Sequence, residues 1–298
     1  MNAVFPVARL APDEAPRTIV LTGGHSGAEV VLQAEAGDTF VRKTARDVRG
    51  NARLRQQALK QRLFSAQGLG FPHVRSIGFD AARRATFEMD YVPARTLGDL
   101  VRSLSPHDQG AVVTAVGALV STFRNSACGE LPAAIFRDKI EDIANAAGRL
   151  AMAASHRADI ARIAARVLAR DWSNIPASPS HGDLTFENIL VTPQGDIVFI
   201  DCDEPFASSW WLDLGKLFQD IAGLWCLRGL AAPSIGAAER LALYGRDFRA
   251  LAQASDRRLL PRLAQFAALH LLRTIPYAET PADVAFAVRA AFRVLEMD

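Results

Sequence analysis

The chain has 298 residues, half of them hydrophobic, with 34 Lys/Arg against 32 Asp/Glu and a net charge of +2. That is ample apolar material for a large core or two lobes, and the charge balance gives no ground for a nucleic-acid or membrane-surface partner. Cys128, Cys202 and Cys226 stand far apart without paired ligand spacing, which argues against a disulfide framework or a structural zinc site and fits a reducing cytosol.

Met1–Pro16 lacks a basic start, and Pro6 and Arg9 interrupt its short apolar run, so it does not read as a signal peptide. No apolar run has the length needed to cross a bilayer. The expectation is a soluble, cytoplasmic protein without membrane insertion.

Strands are predicted at Thr18–Thr22, Ala28–Glu35 and Thr39–Thr44, the first two joined by Gly23-Gly24-His25-Ser26-Gly27. Consecutive hairpin connections make an antiparallel sheet. Val48–Gln67 is basic and helix-forming, with Leu54, Ala58, Leu59 and Leu63 at helical spacing, and Gly68-Leu69-Gly70-Phe71-Pro72 ends it. Two more strands follow at Val74–Phe79 and Thr86–Met89. Residues 1–90 carry 13 Lys/Arg against 9 Asp/Glu, so this stretch holds the basic excess.

Beyond residue 90 the periodicity becomes helical. Ser105-Pro106 reads as an N-cap and first helical residue, with Val112, Val116, Leu119, Val120 and Phe123 as the buried stripe. Further helices are predicted at 136–153, 156–170, 236–253, 257–273 and 281–296, the last opened by Thr280-Pro281 with Asp283 in its first turn. One hairpin interrupts them, Ile189–Thr192 and Ile197–Ile200 around Pro193-Gln194-Gly195-Asp196. The outline is an α+β chain: a sheet-rich lobe with one helix over residues 1–92, then a helical lobe over 93–298 that carries the hairpin.

The chemistry concentrates in His181-Gly182-Asp183-Leu184-Thr185-Phe186-Glu187-Asn188 and Ile200-Asp201-Cys202-Asp203. The segment offers an aspartate, an amide five residues later and a carboxylate thirteen beyond that. Phosphoryl transfer needs these parts, a base for the attacking hydroxyl and oxygen ligands for magnesium. Asn188 precedes the first strand of the hairpin and Asp201 follows the second, so both emerge at its open end. Asp203 and Glu204 are open between further ligands, acids behind the ligands and ordinary turn residues. The turn containing Gly23, Gly24, Ser26 and Gly27 exposes backbone N–H groups of the kind that bind phosphate. Lys43 shares a strand face with Val41 and can point beneath that turn.

These residues resemble the aminoglycoside phosphotransferase and choline kinase-like family, which shares the bilobal protein kinase-like fold and phosphorylates small molecules. The resemblance implies Asp183 as the base, Asn188 and Asp201 as magnesium ligands, and Lys43 as the clamp on the phosphates of ATP or GTP. It also implies a hinge at Met89, Asp90 and Tyr91 whose backbone holds a purine. His181 and Asp213 would support the catalytic loop. Trp210 and Trp211 are either core or part of an aromatic cage for a quaternary ammonium, and the hydroxyl acceptor is open between choline-like, sugar and aminoglycoside molecules. Two departures stand out. Residues 51–79 contain no Glu or Asp, so the helix glutamate that usually partners the strand lysine is missing, and only Gln56, Gln57 and Gln61 are offered in its place. The motif lacks the arginine that many protein kinases use to bind a phosphorylated activation loop, and eleven residues separate Asp201 from Asp213. A small-molecule kinase is therefore the leading reading, ahead of a catalytically weak nucleotide-binding scaffold and of a protein kinase.

Overall fold

The computed structural model describes residues 17–21, 28–35, 37–230 and 234–297. It forms two compact units, one running to Leu97 and taking in Asn188–Glu204, the other made of Gly98–Glu187 and Pro205–Asp298. The hairpin expected among the helices thus groups with the sheet, while the first chain crossing falls just after the expected division at residues 92 and 93. Among the described residues no helix is long and apolar enough to cross a membrane.

In the sheet unit, β1 (Arg17–Val20), β2 (Ala28–Glu35), β3 (Asp38–Ala45), β4 (Val74–Phe79) and β5 (Ala85–Asp90) form an antiparallel sheet in the order β1-β2-β3-β5-β4. The alternating burial of β5 sends Ala85, Phe87 and Met89 inward, as the period of an extended chain requires. α1 (Asn51–Ala66) packs Leu54 and Ala58 against Leu32, Val41, Ala45, Val74, Phe87 and Met89. Its buried face differs from the predicted one: Leu59 and Leu63 are exposed, whereas Gln57, Gln61 and Phe64 are buried. The two glutamines are tolerated there because each amide has a partner, Asp203 for Gln57 and the Pro72 carbonyl for Gln61.

A second sheet in this unit places β6 (Arg95–Thr96), β9 (Ile189–Val191) and β10 (Ile197–Phe199) in the order β10-β9-β6. The Phe199 amide also donates to the Gly70 carbonyl (2.9 Å). Gly70 has φ +74°, and a Cβ there would lie 3.2 Å from the Ile197 carbonyl oxygen, so the close approach of loop and strand favours glycine.

The helical unit contains α2 (Leu97–Arg102, from its second residue), α3 (Gln109–Asn125), α4 (Ala133–Arg149), α5 (Arg157–Leu168), α6 (Trp210–Ile221), α7 (Ile235–Ser255), α8 (Leu263–Thr274) and α9 (Pro281–Leu295), with a two-stranded pair β7 (Glu130–Leu131) and β8 (Ile175–Pro176). α3 starts later than Ser105-Pro106 predicts. Asp108 is its N-cap, its carboxylate accepting from the Ala111 amide (3.0 Å), while a residue preceding proline is biased away from helix. α8 likewise starts late: Pro261 lies in a 3-10 turn, Leu260–Arg262, ahead of it, because proline cannot supply an interior helix N–H. α9 begins as predicted, with a reciprocal capping box between Thr280 and Asp283.

α6 packs on α8 with Gly215 at the contact, where an added Cβ would sit 2.3 Å from Phe266 Cβ. Gly215→Ala should therefore force the two helices apart and cost about 1–3 kcal/mol, the usual range for overpacking a core. Thermal unfolding should show a midpoint several degrees lower. An unchanged midpoint would show that the contact yields freely.

Candidate active site

In the sheet unit, Lys43 lies on β3 opposite Val30 of β2 and Phe87 of β5. Its side chain is nearly inaccessible, and burial pushes the ammonium down to about 8 against the opposing pull of Cys202 and Asp203. The ammonium donates to Asp201, 158 residues further along the chain. Asn188 is buried, and its carbonyl accepts the Ile200 amide (3.0 Å). That bond closes the open end of the β9–β10 hairpin, so the chain leaves Asn188 and reaches Asp201 from the same end. Asp201 has φ +59°, a left-handed conformation that aspartate adopts more readily than most residues.

The residues after Asp201 are tied to α1. Arg53 donates from Nε to Asp203 Oδ1 (3.1 Å) and from Nη2 to Oδ2. Gln57 Nε2 also donates to Asp203 Oδ1 (3.0 Å), and Lys60 Nζ donates to the Asp203 carbonyl (2.5 Å). Burial raises the pKa of the Asp203 carboxyl, but the Arg53 fork and the Gln57 amide outweigh it and hold the group below the ordinary carboxylate range. Cys202 is buried, its thiol pushed up to about 12 by burial and directed at the Gln57 carbonyl (3.7 Å). Glu204 is more exposed and lies 3.8 Å from Lys60 Nζ. α1 therefore meets this segment through cations and amides, a partner set that the missing helix glutamate hinted at without identifying.

In the helical unit, His181, Gly182 and Asp183 form a loop held by the first turn of α6. The Asp213 carboxylate accepts from the His181 amide (2.6 Å) and the Gly182 amide (2.9 Å). Ser209 is the N-cap of α6, so Asp213 lies inside the helix and its carboxylate is available to the loop. The Asp183 amide donates to His181 Nδ1 (3.3 Å), with the imidazole fully buried. The Asp183 carboxylate is 41% exposed and pairs with Lys216 Nζ at 3.1 Å. Sequence reasoning assigned no role to Lys216.

Sequence reasoning missed two further supports of the loop. Asp220, two helical turns after Asp213, accepts from the Phe186 amide through Oδ2 (2.7 Å), while its Oδ1 has no hydrogen-bond partner among the described residues. Glu187 accepts from Arg102 Nη1 (2.5 Å), which also donates to the Cys226 carbonyl (2.8 Å). A Cβ on Gly98 would stand 2.6 Å from Glu187 Oε1, so that glycine leaves room for the carboxylate.

Gly23, Gly24, Ser26 and Gly27 lie outside the described residues. Met89 is buried in β5, and the Asp90 amide donates to the His73 carbonyl (3.0 Å), so this N–H is used within the sheet unit. The Asp90 carboxylate accepts from Arg75 Nε (2.6 Å), and Tyr91 is half-buried with its phenol pKa raised by burial. Trp210 and Trp211 are fully buried and meet edge to face, Trp211 also packing on Phe266. Their rings are core, with no open face for an ammonium cage.

Among the described residues no group of three or more His, Cys, Asp or Glu side chains is arranged to hold a metal. Magnesium that reaches a protein on nucleotide phosphates needs only one or two protein oxygens. An amide oxygen at Asn188 and a carboxylate at Asp201 fit that donor set.

Asp220 gives a pH test of the loop support. Burial pushes its carboxyl up to about 7, partly offset by the Phe186 N–H and reinforced by Glu187. Between about pH 4 and 7 the folded protein keeps a proton that the unfolded chain has released, so this contribution to stability is present in acid and lost as pH rises through 7. From pH 5 to pH 8 the thermal midpoint of the wild type should fall relative to that of Asp220→Asn. Parallel curves would show that Asp220 is not protonated in the folded state at pH 5.

The model of the phosphotransferase enzyme family matches residues 18–254. No curated protein matches the sequence. A solved ternary complex of a thermostable mutant of aminoglycoside phosphotransferase APH(4)-Ia with ADP and hygromycin B is similar at 17% identity and TM-score 0.66, covering 94% of this chain and 93% of that one. Aminoglycoside phosphotransferase APH(3'')-Id from Streptomyces rimosus ATCC10970 is similar at 19% identity and TM-score 0.55, covering 85% of this chain and 92% of that one. The fold is the kinase-like one of these enzymes, an antiparallel-sheet lobe and a helical lobe, and the chain belongs to the phosphotransferase enzyme family.

Proposed function

We propose that the protein transfers the γ-phosphoryl group of ATP or GTP to a hydroxyl of a small-molecule acceptor in the cytoplasm. The observation that carries this reading is the meeting of Lys43 and Asp201 at the open end of a hairpin that also begins at Asn188. A scaffold that only binds nucleotide has no evident need for an acid, an amide and a buried ammonium in this arrangement. Membership of the phosphotransferase enzyme family supports a small-molecule phosphotransferase.

Lys43 would neutralise phosphate oxygens of the nucleotide, releasing Asp201 from the ion pair. Asn188 and Asp201 are the residues that would hold magnesium, which when bound supplies further neutralisation of the phosphate charge. Asp183 would orient the acceptor hydroxyl and take its proton as the acceptor oxygen bonds to the γ-phosphorus. The bond from that phosphorus to the nucleoside diphosphate oxygen breaks, and its electron pair leaves with the diphosphate.

The acceptor screen begins with hygromycin B, the molecule held by the APH(4)-Ia complex, followed by other aminoglycosides, sugars and choline. Trp210 and Trp211 give choline no support, being buried.

Calorimetric titration with ATP and GTP, with and without magnesium, tests the reading directly. Nucleotide affinity should tighten with magnesium, and Asp201→Asn should remove that tightening. Binding indifferent to magnesium in the wild type would favour a scaffold, and no binding would overturn both readings. Asp183→Asn should lower transfer by about 10²–10⁴-fold, the usual worth of a general base, while nucleotide affinity stays nearly unchanged. Loss of binding and transfer together would give Asp183 a different role.

A further inference from the structure

The sequence leaves α1 without an acid, yet the structure gives the helix a firm hold on the residues next to Asp201. Arg53, Gln57 and Lys60 recur at four and three residues, so they share one helix face. That face meets Cys202, Asp203 and Glu204 through five contacts: the two-pronged Arg53 fork, the Gln57 amide, the Lys60 bond to the Asp203 carbonyl, the Cys202 thiol on the Gln57 carbonyl and the looser Lys60–Glu204 pair. The adjoining face of α1 is buried in the sheet core through Leu54 and Ala58. The helix therefore joins a packed core to the acidic segment.

The backbone of Asp201 needs such a hold. Its positive φ is uncommon for a residue with a side chain, and conformations of this kind persist when the surroundings over-determine them. Ile200 is fixed on one side by the Asn188 carbonyl, and Cys202 to Glu204 are fixed on the other by α1. Asp203 cannot easily serve as a metal ligand as well. Both of its carboxylate oxygens are engaged by Arg53, and Oδ1 also accepts from Gln57 and from the Glu204 amide (2.9 Å).

We propose that Asp203 is a positioning residue, clasped by Arg53 and Gln57 of α1, which holds Asp201 in its metal-binding conformation and replaces a helix acid with a clasp of opposite polarity. The inference rests on the proposed role of Asp201, and its test separates the two.

Amide hydrogen exchange on the nucleotide-free protein reads the clasp without reference to catalysis. Exchange in residues 201–204 should accelerate in Arg53→Met and in Asp203→Asn, and to the same extent in the double variant. Unchanged exchange in Arg53→Met would overturn the proposal, whatever the protein binds. In wild type that binds nucleotide more tightly with magnesium, each single variant should weaken that magnesium-dependent gain by about 10–100-fold, the range seen when a residue supporting a metal ligand is lost. Nucleotide affinity without magnesium should stay near the wild-type value. The double variant should be no worse than either single one, and exchanging the partners, Arg53→Asp with Asp203→Arg, should recover part of the loss. If Asp203 were instead a ligand, Asp203→Asn would abolish the magnesium dependence while Arg53→Met preserved or strengthened it, and the proposal would fail. A wild type that shows no magnesium dependence would refute the proposed metal role of Asp201, and the part of this inference that rests on it, even with the clasp established by exchange.

Discussion

An ammonium with almost no exposure in the middle of a sheet must be compensated, because an unpaired buried charge costs several kcal/mol. Lys43 finds that compensation in Asp201, which lies 158 residues away in sequence. Much of the sheet unit follows from this demand. The hairpin that delivers Asp201 is joined to the unit by β6 through pairing with β9, and by Gly70 through the Phe199 amide. The unit is therefore discontinuous in sequence. The ion pair of Lys43 with Asp201 therefore forms only once Asn188–Glu204 has been made and docked, a long-range closure of the kind that slows folding.

The helical unit meets a different demand, the support of an irregular loop. Backbone amides in a buried loop need acceptors, and α6 supplies them from one face. Asp213 takes the amides of His181 and Gly182, and Asp220, seven residues on, takes that of Phe186. Lys216 lies between these acids and pairs with the side chain of Asp183. Bonds to the backbone do not depend on side-chain identity. The acids of α6 thus fix the path of the loop through its backbone. The cost is the burial of Asp220, whose carboxyl is shifted up to about 7.

What the sequence disclosed and what it concealed have separate physical causes. The sheet strands, the hairpin and α9 were legible because alternation, turn residues and the Thr280–Asp283 cap are local signals. α6 is absent from the predicted helices: its polar residues Asp213, Lys216 and Asp220 do recur at helical spacing, but over 12 residues that signal is short. The exposed Leu59 and Leu63 misled for the opposite reason, since apolar spacing alone assigned them to a face that the structure gives to Gln57, Gln61 and Phe64. Asp183, Asn188 and Asp201 stood out through spacing within a short segment. Arg53 and Asp203, 150 residues apart, left only an indirect trace, the absence of any acid from residues 51–79.

That absence has a consequence for how Lys43 is used. A lysine paired to a helix acid depends on the position of the helix, so a shift of the helix can switch phosphate binding. Here the partner of Lys43 is the proposed metal ligand, and the helix is engaged with Asp203 through its own cations and amides. On the proposed chemistry, an incoming nucleotide gives Lys43 phosphate oxygens and gives Asp201 a metal ion, so the two halves of one ion pair each exchange one opposite charge for another. Neither exchange breaks a contact between α1 and Asp203. The helix can stay in place throughout, and the eleven residues between Asp201 and Asp213 leave little room for a long regulatory segment to move it. On the proposed chemistry, admitting the nucleotide therefore requires no movement of α1.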